Sequence, residues 1–309
     1  MPEFISVVIP TFNRRETLRV ILPALAMQTY SRDLYEIILV DNGSSDGTDE
    51  MIHALRLPNL RYIVQENSGR SGARNRGIRE AQGTLVLFTD ADIIPDRRLL
   101  ESHARFYDSH RNSAVVGCEV QVNTLEEYEA VRDHRGLWRT LHPDRRTRLS
   151  WLYFLTGNAL VEKATLVRVG MFDENFTGYG HEDLELGYRI EKSGTPILYN
   201  HKAVNYHWHP VSFDEQCSKM HLAGISTVRF HRKHRDFQIK LRLGMTPLSL
   251  GMHSLLAGDG WLMKACERSK GSSPLCKDIV LQHHYLNGIK EALSLEAAAG
   301  PFPRDGSRE

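Results

Sequence analysis

Residues 84–92 read TLVLFTDAD, a run of apolar side chains that ends in two aspartates, Asp90 and Asp92. A short, continuous apolar run is typical of a strand in a parallel sheet whose two faces are covered by helices. Ligand sites in such sheets lie beyond the carboxyl ends of the strands. Two carboxylates placed there repel each other, and a hard divalent cation that also holds a diphosphate relieves the repulsion. The stretch therefore predicts an α/β fold and a candidate metal site.

The sequence on both sides of this stretch alternates short β-branched runs with helical patterns. Within the first 120 residues, strands are predicted at 6–9, 35–40, 60–64 and 84–89, and helices at 15–27, 48–56 and 71–82. Later elements are predicted as strands at 114–122 and 157–161, as helices at 125–141, 163–169 and 181–193, and as mostly helical structure after residue 211. The early alternation indicates a parallel sheet with crossover helices.

Composition excludes several classes of protein. The chain has 309 residues and is 41% hydrophobic, and a monomer of that size buries about three quarters of its unfolded surface. Intrinsic disorder is therefore excluded, and nucleic acid is not expected as a partner, because 39 basic residues nearly balance 38 acidic ones. We expect a cytoplasmic protein, because the N-terminus lacks a signal pattern, no long apolar window exists, and the four cysteines are scattered.

Two further segments are expected at the same sheet edge. Residues 40–48 read VDNGSSDGT, a strand followed by a polar turn, which is suited to placing Asp41 beside a bound base. The alternative is a loop that caps a helix, and this explains Asp46 better than Asp41. Residues 67–77 put glycines and arginines at a helix N-terminus, which is a natural phosphate site.

Four motifs occur in one order along the chain: VIPTFNR at 8–14, VDNGSSDGT at 40–48, ARNRG at 73–77 and DAD at 90–92. Together they resemble glycosyltransferase family 2, and the likeness continues through GN at 157–158, GMFDE at 170–174 and GHEDLE at 180–185. The resemblance covers roughly residues 4–210. It implies the GT-A fold, an α/β fold with a mixed, mostly parallel sheet flanked by helices. It also implies inverting transfer of a sugar from a nucleotide sugar, most simply a UDP-sugar, to an acceptor hydroxyl.

The resemblance also implies a division of the chain and a set of site residues. The catalytic domain would be 1–210, with a nucleotide-binding half at 1–120 and an acceptor-binding half at 121–210, followed by a helical extension packed on it at 211–299 and a tail at 300–309. Substrate-binding roles would fall to Pro10, Thr11, Asn13, Arg14, Asp41, Arg74, Asp90, Gly157 and Asn158. Metal ligands would be Asp92, Asp90 and His207, with Mn²⁺ or Mg²⁺ as the ion. One departure from the family pattern is His181, where related sequences often have glycine.

Glu182 and Asp183 are the candidate catalytic pair. An inverting transfer needs a carboxylate that accepts the proton of the acceptor hydroxyl, and the resemblance favours Asp183, with Glu182 orienting a hydroxyl. The alternative is a pair of acids that merely stabilises a helix N-terminus. Gly178 and Gly180 favour the functional interpretation, because they let the preceding loop approach a ligand.

His207 and His209 flank Trp208 after a predicted strand. We expect their rings to point to opposite faces, so that only one completes the metal site, and the resemblance favours His207. An imidazole ligand favours Mn²⁺ over Mg²⁺.

Two other functions compete. The motif at 88–92 also resembles the haloacid dehalogenase phosphatases, in which the first aspartate is the nucleophile, although here the pair does not follow the first strand. A non-catalytic nucleotide-sugar-binding protein would have lost the metal pair or the base, and both are present. The acceptor is open, whether a glycan, a lipid-linked or a small molecule. Its recognition is expected in 125–152, where Trp138, Trp151 and Tyr153 offer aromatic faces, and in 211–296.

The C-terminal third carries two apolar stripes at helical spacing, which predict two packed helices. They are Phe213, Cys217, Met220, Gly224 and Val228, and then Leu275, Ile279, Leu286, Ile289 and Leu293. A basic run lies beyond the first stripe and consists of Arg229, Arg232, Lys233, Arg235, Lys240 and Arg242. Such runs are often solvated helix faces, but beside apolar residues they also suit an anionic acceptor or peripheral contact with a membrane.

Overall fold

The computed structural model describes residues 3–132, 148–176, 178–256, 261–269 and 273–299. The chain divides into two compact units. One is an α/β unit formed by Met1–Thr177 and Glu182–Pro210, and the other is a helical unit formed by Gly178–His181 and Val211–Glu309. The expected tail at 300–309 lies outside the described residues, as does Trp138.

The α/β unit is built on one mixed sheet. Its strands are β1 (Ile5–Thr11), β2 (Tyr35–Asp41), β3 (Leu60–Val64), β4 (Leu85–Phe88), β5 (Ile93–Pro95), β6 (Ala114–Val122), β7 (Arg148–Leu149), β8 (Ala159–Glu162) and β9 (Ile197–Trp208). Their order is β3-β2-β1-β4-β8-β6-β9-β5, and β7 pairs with β9. The first four strands run parallel. Strand β8 is antiparallel to both β4 and β6, whereas β9 is parallel to β6.

Helices connect these strands, and all of them except α4 were predicted from the sequence. They are α1 (Arg15–Ala26), α2 (Thr48–Leu55), α3 (Gly69–Glu80), α4 (Leu99–Ser109), α5 (Leu125–Arg132), α6 (Lys163–Arg168) and α7 (Glu182–Lys192). The predicted strands are confirmed with small shifts at their ends. The helix predicted at 125–141 is described as far as Arg132.

Strand β1 lies inside the sheet and is buried along its whole length. It nevertheless contains Pro10, which has no N–H to donate. The register explains this: β4 pairs with β1 only as far as Val8, so Pro10 lies beyond the last pair on that side. The last residues of β1 therefore have no strand partner on the β4 side, at the same sheet edge where β1 and β2 end.

The helical unit contains α8 (Phe213–His234), α9 (Phe237–Arg242), α10 (Pro247–Leu256), α11 (Trp261–Ser269) and α12 (Pro274–Ala299). Both apolar stripes pack within it, since Val228 and Ile289 share one cluster and Cys217 and Ile279 share another. Leu275 is the exception, because it is 70% exposed. Across the described ranges, no helix combines the length and apolar character needed to cross a bilayer.

Helices α8 and α12 approach each other through glycines. A Cβ atom added to Gly224 of α8 would lie 2.0 Å from the carbonyl oxygen of Tyr285. One added to Gly288 of α12 would lie 2.0 Å from the carbonyl oxygen of His221. Gly224 is therefore a point of backbone contact rather than an ordinary member of an apolar stripe.

Candidate active site

The site begins where β1 and β2 end. Thr11 and Asp41 are register partners at the last positions of these strands. Both are buried, and the hydroxyl of Thr11 has no hydrogen-bond partner among the described residues. Pro10 precedes Thr11 in the same buried strand, so the predicted base and ribose residues share one edge of the sheet.

Asp41 is held by hydrogen bonds from two elements. Its Oδ1 accepts from the backbone N–H and the hydroxyl of Ser44 at 2.9 and 2.7 Å, and its Oδ2 accepts from the Tyr62 hydroxyl at 2.6 Å. Burial and the Asp41 carboxylate raise the pKa of Tyr62 far above its usual range, so Tyr62 remains a donor. The carboxylate is thus fixed in orientation before any ligand arrives. Tyr62, on β3, was not predicted, because it reads as an ordinary strand aromatic.

The loops after β1 and β2 are joined to each other. The Asn13 N–H donates to the Ser44 hydroxyl at 2.8 Å, and the Ser45 N–H donates to Asn13 Oδ1 at 2.8 Å. Asp46 accepts from the backbone N–H groups of Arg15 and Thr48, the first residues of α1 and α2. Asp46 therefore satisfies the first backbone N–H of each helix, although the N-cap positions belong to Arg14 and Gly47.

Arg74 occupies a buried position between two acids. Its guanidinium, only 2% exposed, contacts Asp90 Oδ1 at 2.8 Å and Glu182 Oε1 at 3.3 Å. The Phe172 ring lies against it, with the ring centroid 5.5 Å from the guanidinium carbon. Burial opposes its charge, but the two carboxylates keep the pKa of Arg74 raised. That Arg74 lies near the base or phosphates stays a prediction, and in this structure its guanidinium links Asp90, which follows β4, to Glu182 at the start of α7.

The two acids at the start of α7 differ in their surroundings. Glu182 is buried, and its second oxygen has no partner among the described residues. Asp183 is partly exposed. Removal from water, together with the nearby Glu182 carboxylate, raises the pKa of Asp183 to about 7 against the opposing effect of Arg74. A carboxylate with a pKa near neutrality is suited to accept a proton at physiological pH.

His181, just before this pair, has a backbone φ of +70°. This region costs a residue with a side chain roughly 1–2 kcal/mol, whereas glycine adopts it freely. A glycine, which a related sequence pattern often has at this position, would adopt this backbone conformation without that cost. A hydrogen bond of 2.8 Å between His181 Nε2 and the Thr227 hydroxyl offsets part of this cost. Burial lowers the pKa of the His181 imidazole to about 4.

The two aspartates after β4 have separate partners. Asp90 pairs with Arg74, whereas Asp92 faces two histidines. Asp92 Oδ1 lies 3.6 Å from His207 Nε2, and Asp92 Oδ2 lies 3.6 Å from His209 Nδ1. Arg14 adds positive charge near Asp92, and although burial opposes ionisation, these groups together lower the pKa of Asp92. The prediction that Asp90 binds the metal or the substrate has a competitor in the Asp90–Arg74 ion pair.

Both histidine rings lie on the Asp92 side, so the expectation that they diverge is wrong. Their rings are nearly parallel, with centroids 6.0 Å apart and an angle of 10° between the planes. Side chains alternate at every residue of a strand, so residues two apart share a face. His207 and His209 therefore act on the same side, and neither is excluded by geometry.

These donors suit a divalent cation by their chemistry. Carboxylate and imidazole groups together are typical of Mn²⁺ sites, and two atoms that share a metal at about 2.1 Å lie roughly 3 to 3.6 Å apart. In the described ranges, no group of three or more His, Cys, Asp or Glu side chains is arranged to hold a metal by itself. This agrees with ions that take one or two protein carboxylates and complete their shell with water and substrate phosphates.

Glu119 of β6 is a site residue that the sequence analysis missed. Its Oε1 lies 3.3 Å from His207 Nδ1. Burial works against a charged imidazole, but Asp92 and Glu119 together raise the pKa of His207 to about 10. A Cβ added to Gly157 would lie 2.4 Å from Glu119 Oε2, so Gly157 makes room for this carboxylate. The sequence did contain a signal for this residue, because an acidic side chain within a strand predicted to be buried often has a functional role.

Asn158 lies in the interior instead of facing a ligand. Its amide nitrogen donates to the Ala203 carbonyl at 2.9 Å, and its amide oxygen lies 2.7 Å from Nε2 of the buried His103. Burial lowers the pKa of His103 to about 4, so this ring is neutral. Asn205 Nδ2 holds the carbonyl of Gly157 at 2.8 Å. We therefore assign Asn158 a supporting role beneath the site in place of the predicted substrate contact.

Only one of the predicted acceptor aromatics is both described and accessible. Trp151 is buried and meets the Tyr188 ring edge to face, whereas Tyr153 is exposed.

The arrangement defines a class of protein: an α/β fold with buried polar residues at the ends of β1 and β2, a candidate cation site and a candidate base. The family model described as Glycosyl transferase family 2 matches residues 6–174. The chain therefore belongs to glycosyltransferase family 2, and the α/β fold class expected from the resemblance is confirmed.

The most similar relatives include bacterial enzymes with different substrates. Over 264 residues the chain is 32% identical to validoxylamine A glucosyltransferase of Streptomyces hygroscopicus subsp. jinggangensis, covering 74% of this chain and 61% of that protein. It is 28% identical to chondroitin synthase of Escherichia coli over 67% of this chain and 35% of that protein. The chain thus spans less than two thirds of the length of these relatives.

Solved structures support the fold. A mannosyltransferase from Pyrobaculum calidifontis, in complex with GDP-mannose and Mn²⁺, has a TM-score of 0.62 at 18% identity, covering 95% of this chain and 88% of that one. Residues 1–349 of Staphylococcus aureus TarS, in complex with UDP, have a TM-score of 0.56 at 19% identity, covering 98% and 95%.

Proposed function

We propose that this chain is an inverting glycosyltransferase that moves a sugar from a nucleotide sugar to an acceptor hydroxyl, with Asp183 as the general base. One observation carries the proposal: at the start of α7, Asp183 is partly exposed whereas Glu182 is buried, and the pKa of Asp183, about 7, lets it exchange a proton at neutral pH. The family membership supplies the reaction class.

The chain's own residues divide the work. Asp41, held by Ser44 and Tyr62, would bind the nucleoside, together with Thr11 and the loop that carries Asn13. Arg74 would hold Asp90 and Glu182 in place, and so define the approach to Asp183. Asp183 would take the acceptor proton as the acceptor oxygen bonds to the sugar C1. The bond from C1 to the diphosphate breaks on the opposite face, which inverts the configuration.

Asp92 with His207 or His209 would hold a divalent cation, and an ion bound by His207 would replace the proton that this imidazole carries in the metal-free protein. Such an ion, when bound, stabilises the charge on the departing nucleoside diphosphate. The imidazole ligands favour Mn²⁺ as the first ion to test, with Mg²⁺ as the second.

A UDP-sugar is the first donor to test. TarS was crystallised with UDP, and one relative is named a glucosyltransferase, so UDP-glucose heads the list. The Pyrobaculum enzyme was crystallised with GDP-mannose, which makes that sugar the second donor. Those relatives differ widely in their acceptors, so the acceptor is left as a glycan, a lipid-linked or a small molecule.

The test is donor hydrolysis, because water can replace an unknown acceptor. Mass spectrometry of nucleotide sugars incubated with the chain and Mn²⁺ should show release of one nucleoside diphosphate. Asp183→Asn should lower that rate about 10²- to 10⁴-fold, since an amide keeps the shape but cannot accept a proton. Affinity for the nucleoside diphosphate should stay unchanged.

A matched variant is Asp173→Asn, an acid of the α/β unit outside the proposed machinery, which should keep wild-type hydrolysis. Full activity of Asp183→Asn would move the base to Glu182. Metal-dependent nucleotide binding without turnover of any donor or acceptor would favour the non-catalytic alternative. The phosphatase alternative is not retained, because the chain belongs to the glycosyltransferase family.

A further inference from the structure

The region between Cys217 and Leu256 is unusually poor in acids. It contains seven lysine and arginine residues and a single acidic residue, Asp236. That acid accepts the Gln238 N–H at 2.8 Å and caps α9. Six of the seven cations fall within residues 229–242, which we call the basic segment.

Apolar side chains project from the two short helices at the end of the basic segment. Phe237 and Leu241 are four residues apart on α9 and are 68% and 60% exposed, while Ile239 between them is fully buried. Leu248 and Met252 are four residues apart on α10 and are 73% and 52% exposed. Residues at this spacing share a helix face, so each helix presents an apolar pair outward. These four side chains are called the apolar face.

An ordinary surface helix has a polar outward side, whereas α9 and α10 expose these apolar pairs next to polar residues such as Gln238 and Arg242. The two helices are anchored, because Leu243 and Met245 in the connection between them are buried and the Met245 N–H donates to the Lys240 carbonyl at 2.8 Å. Arg232, Lys233 and Arg235, just before α9, are exposed. Anchored apolar side chains beside a cluster of cations are the two signals that together give stable peripheral binding to anionic membranes.

We propose that the basic segment and the apolar face form a docking surface for a membrane rich in anionic lipid. Charge attracts the surface to the headgroups, and Phe237, Leu241, Leu248 and Met252 enter the boundary between headgroups and acyl chains. Nucleic acid would use the same cations but leave four aliphatic or aromatic side chains in water, so the apolar face favours lipid. The proposal does not depend on the proposed reaction.

The test is co-sedimentation of the full chain with vesicles of equal parts phosphatidylglycerol and phosphatidylcholine. Wild-type protein should sediment with them at about 0.05 M salt and at least tenfold less at about 0.5 M, because salt screens exposed charges. It should not sediment with vesicles of phosphatidylcholine alone.

Two variants separate the two contributions. The triple variant Arg232→Glu, Lys233→Glu, Arg235→Glu should lower partitioning at least tenfold, and Phe237→Ser with Leu241→Ser should do the same. Matched controls lie in the α/β unit: Arg19→Glu, Arg97→Glu, Arg98→Glu makes the same change in net charge, and Met27→Ser with Val64→Ser removes two exposed apolar side chains. Both controls should bind like wild type, and thermal unfolding should show all variants folded.

Three results would overturn the proposal. The first is wild-type protein that stays in the supernatant at low salt. The second is a control triple variant that is released as fully as the test variant, since net charge alone would then explain binding. The third is a Phe237→Ser, Leu241→Ser variant that binds as wild type does, which would make the segment a general polyanion site.

Discussion

Asp183 and Glu182 are adjacent, yet the first turn of α7 gives them different chemistry. Glu182 points to the buried Arg74, and Asp183 remains partly exposed. Removal from water and, after it, the neighbouring Glu182 carboxylate raise the pKa of Asp183, and Arg74 opposes this shift only in part. The pKa of the candidate base is therefore tuned first by burial and second by negative charge.

This tuning should cost stability. An acid whose folded-state pKa is raised holds its proton more tightly in the folded chain than in the unfolded one. The cost therefore appears as pH rises above the ordinary value of 3.8 and is complete above about 7. Asp183→Asn should raise the thermal midpoint at pH 8 and leave it unchanged at pH 4.

Differential scanning calorimetry across that range provides the check, with Asp173→Asn as the control. Equal thermal midpoints for wild type and Asp183→Asn at pH 8 would mean that the pKa of the Asp183 carboxyl is not raised in the folded protein.

At the scale of elements, the contact between α8 and α12 leaves no room for larger side chains at its two glycines. Gly224 and Gly288 each face a carbonyl oxygen of the other helix where a Cβ would lie 2.0 Å away. Gly224→Ala or Gly288→Ala should therefore destabilise the helical unit by about 1–3 kcal/mol or more, because backbone cannot move aside as a flexible side chain does.

Gly251→Ala is the matched control, since nothing lies within 4 Å of its added Cβ on α10. It should be neutral or stabilising by up to about 1 kcal/mol through helix propensity. Urea unfolding followed by circular dichroism measures the free energy of unfolding of all three variants. Equal free energies would show that α8 and α12 can move apart without loss of stability.

Elements defined by local patterns were predictable, whereas contacts between distant elements were not. Apolar runs identified β1, β2 and β4, and the structure places Asp41 at the end of β2 and Asp90 and Asp92 just after β4, as the sequence predicts. Nothing local in the sequence brings Glu119 of β6 to His207 of β9, because that contact depends on strand pairing across about ninety residues. The contact of Tyr62 with Asp41 was missed for the same reason, because it also joins two strands. Arg74 was predicted to lie at a phosphate site, because its partner Glu182 lies far along the chain.

At the scale of the whole molecule, ligand binding should report on the cation site. A ligand that binds only the folded state raises its stability. UDP should therefore raise the thermal midpoint in the presence of Mn²⁺ and much less in excess EDTA. Asp92→Ala should abolish the difference and hydrolysis while remaining folded.

A thermal-shift panel of nucleotides with and without Mn²⁺ measures this directly, and GDP serves as the competing nucleotide. If UDP stabilised the protein fully in excess EDTA, and if turnover were also unchanged there, the proposed reaction would not need a divalent cation.

The long strand β9 has a consequence for the order in which the protein is assembled during synthesis. Strands β1 to β4 pair among residues 5–88, and α3 lies between them, so this sheet can form soon after these residues leave the ribosome. Asp92 then waits for His207, which arrives more than a hundred residues later with β9. Until translation passes β9, the nascent chain would hold the ends of β1, β2 and β4 without His207 and His209, so the candidate cation site can be completed only when the sheet is finished.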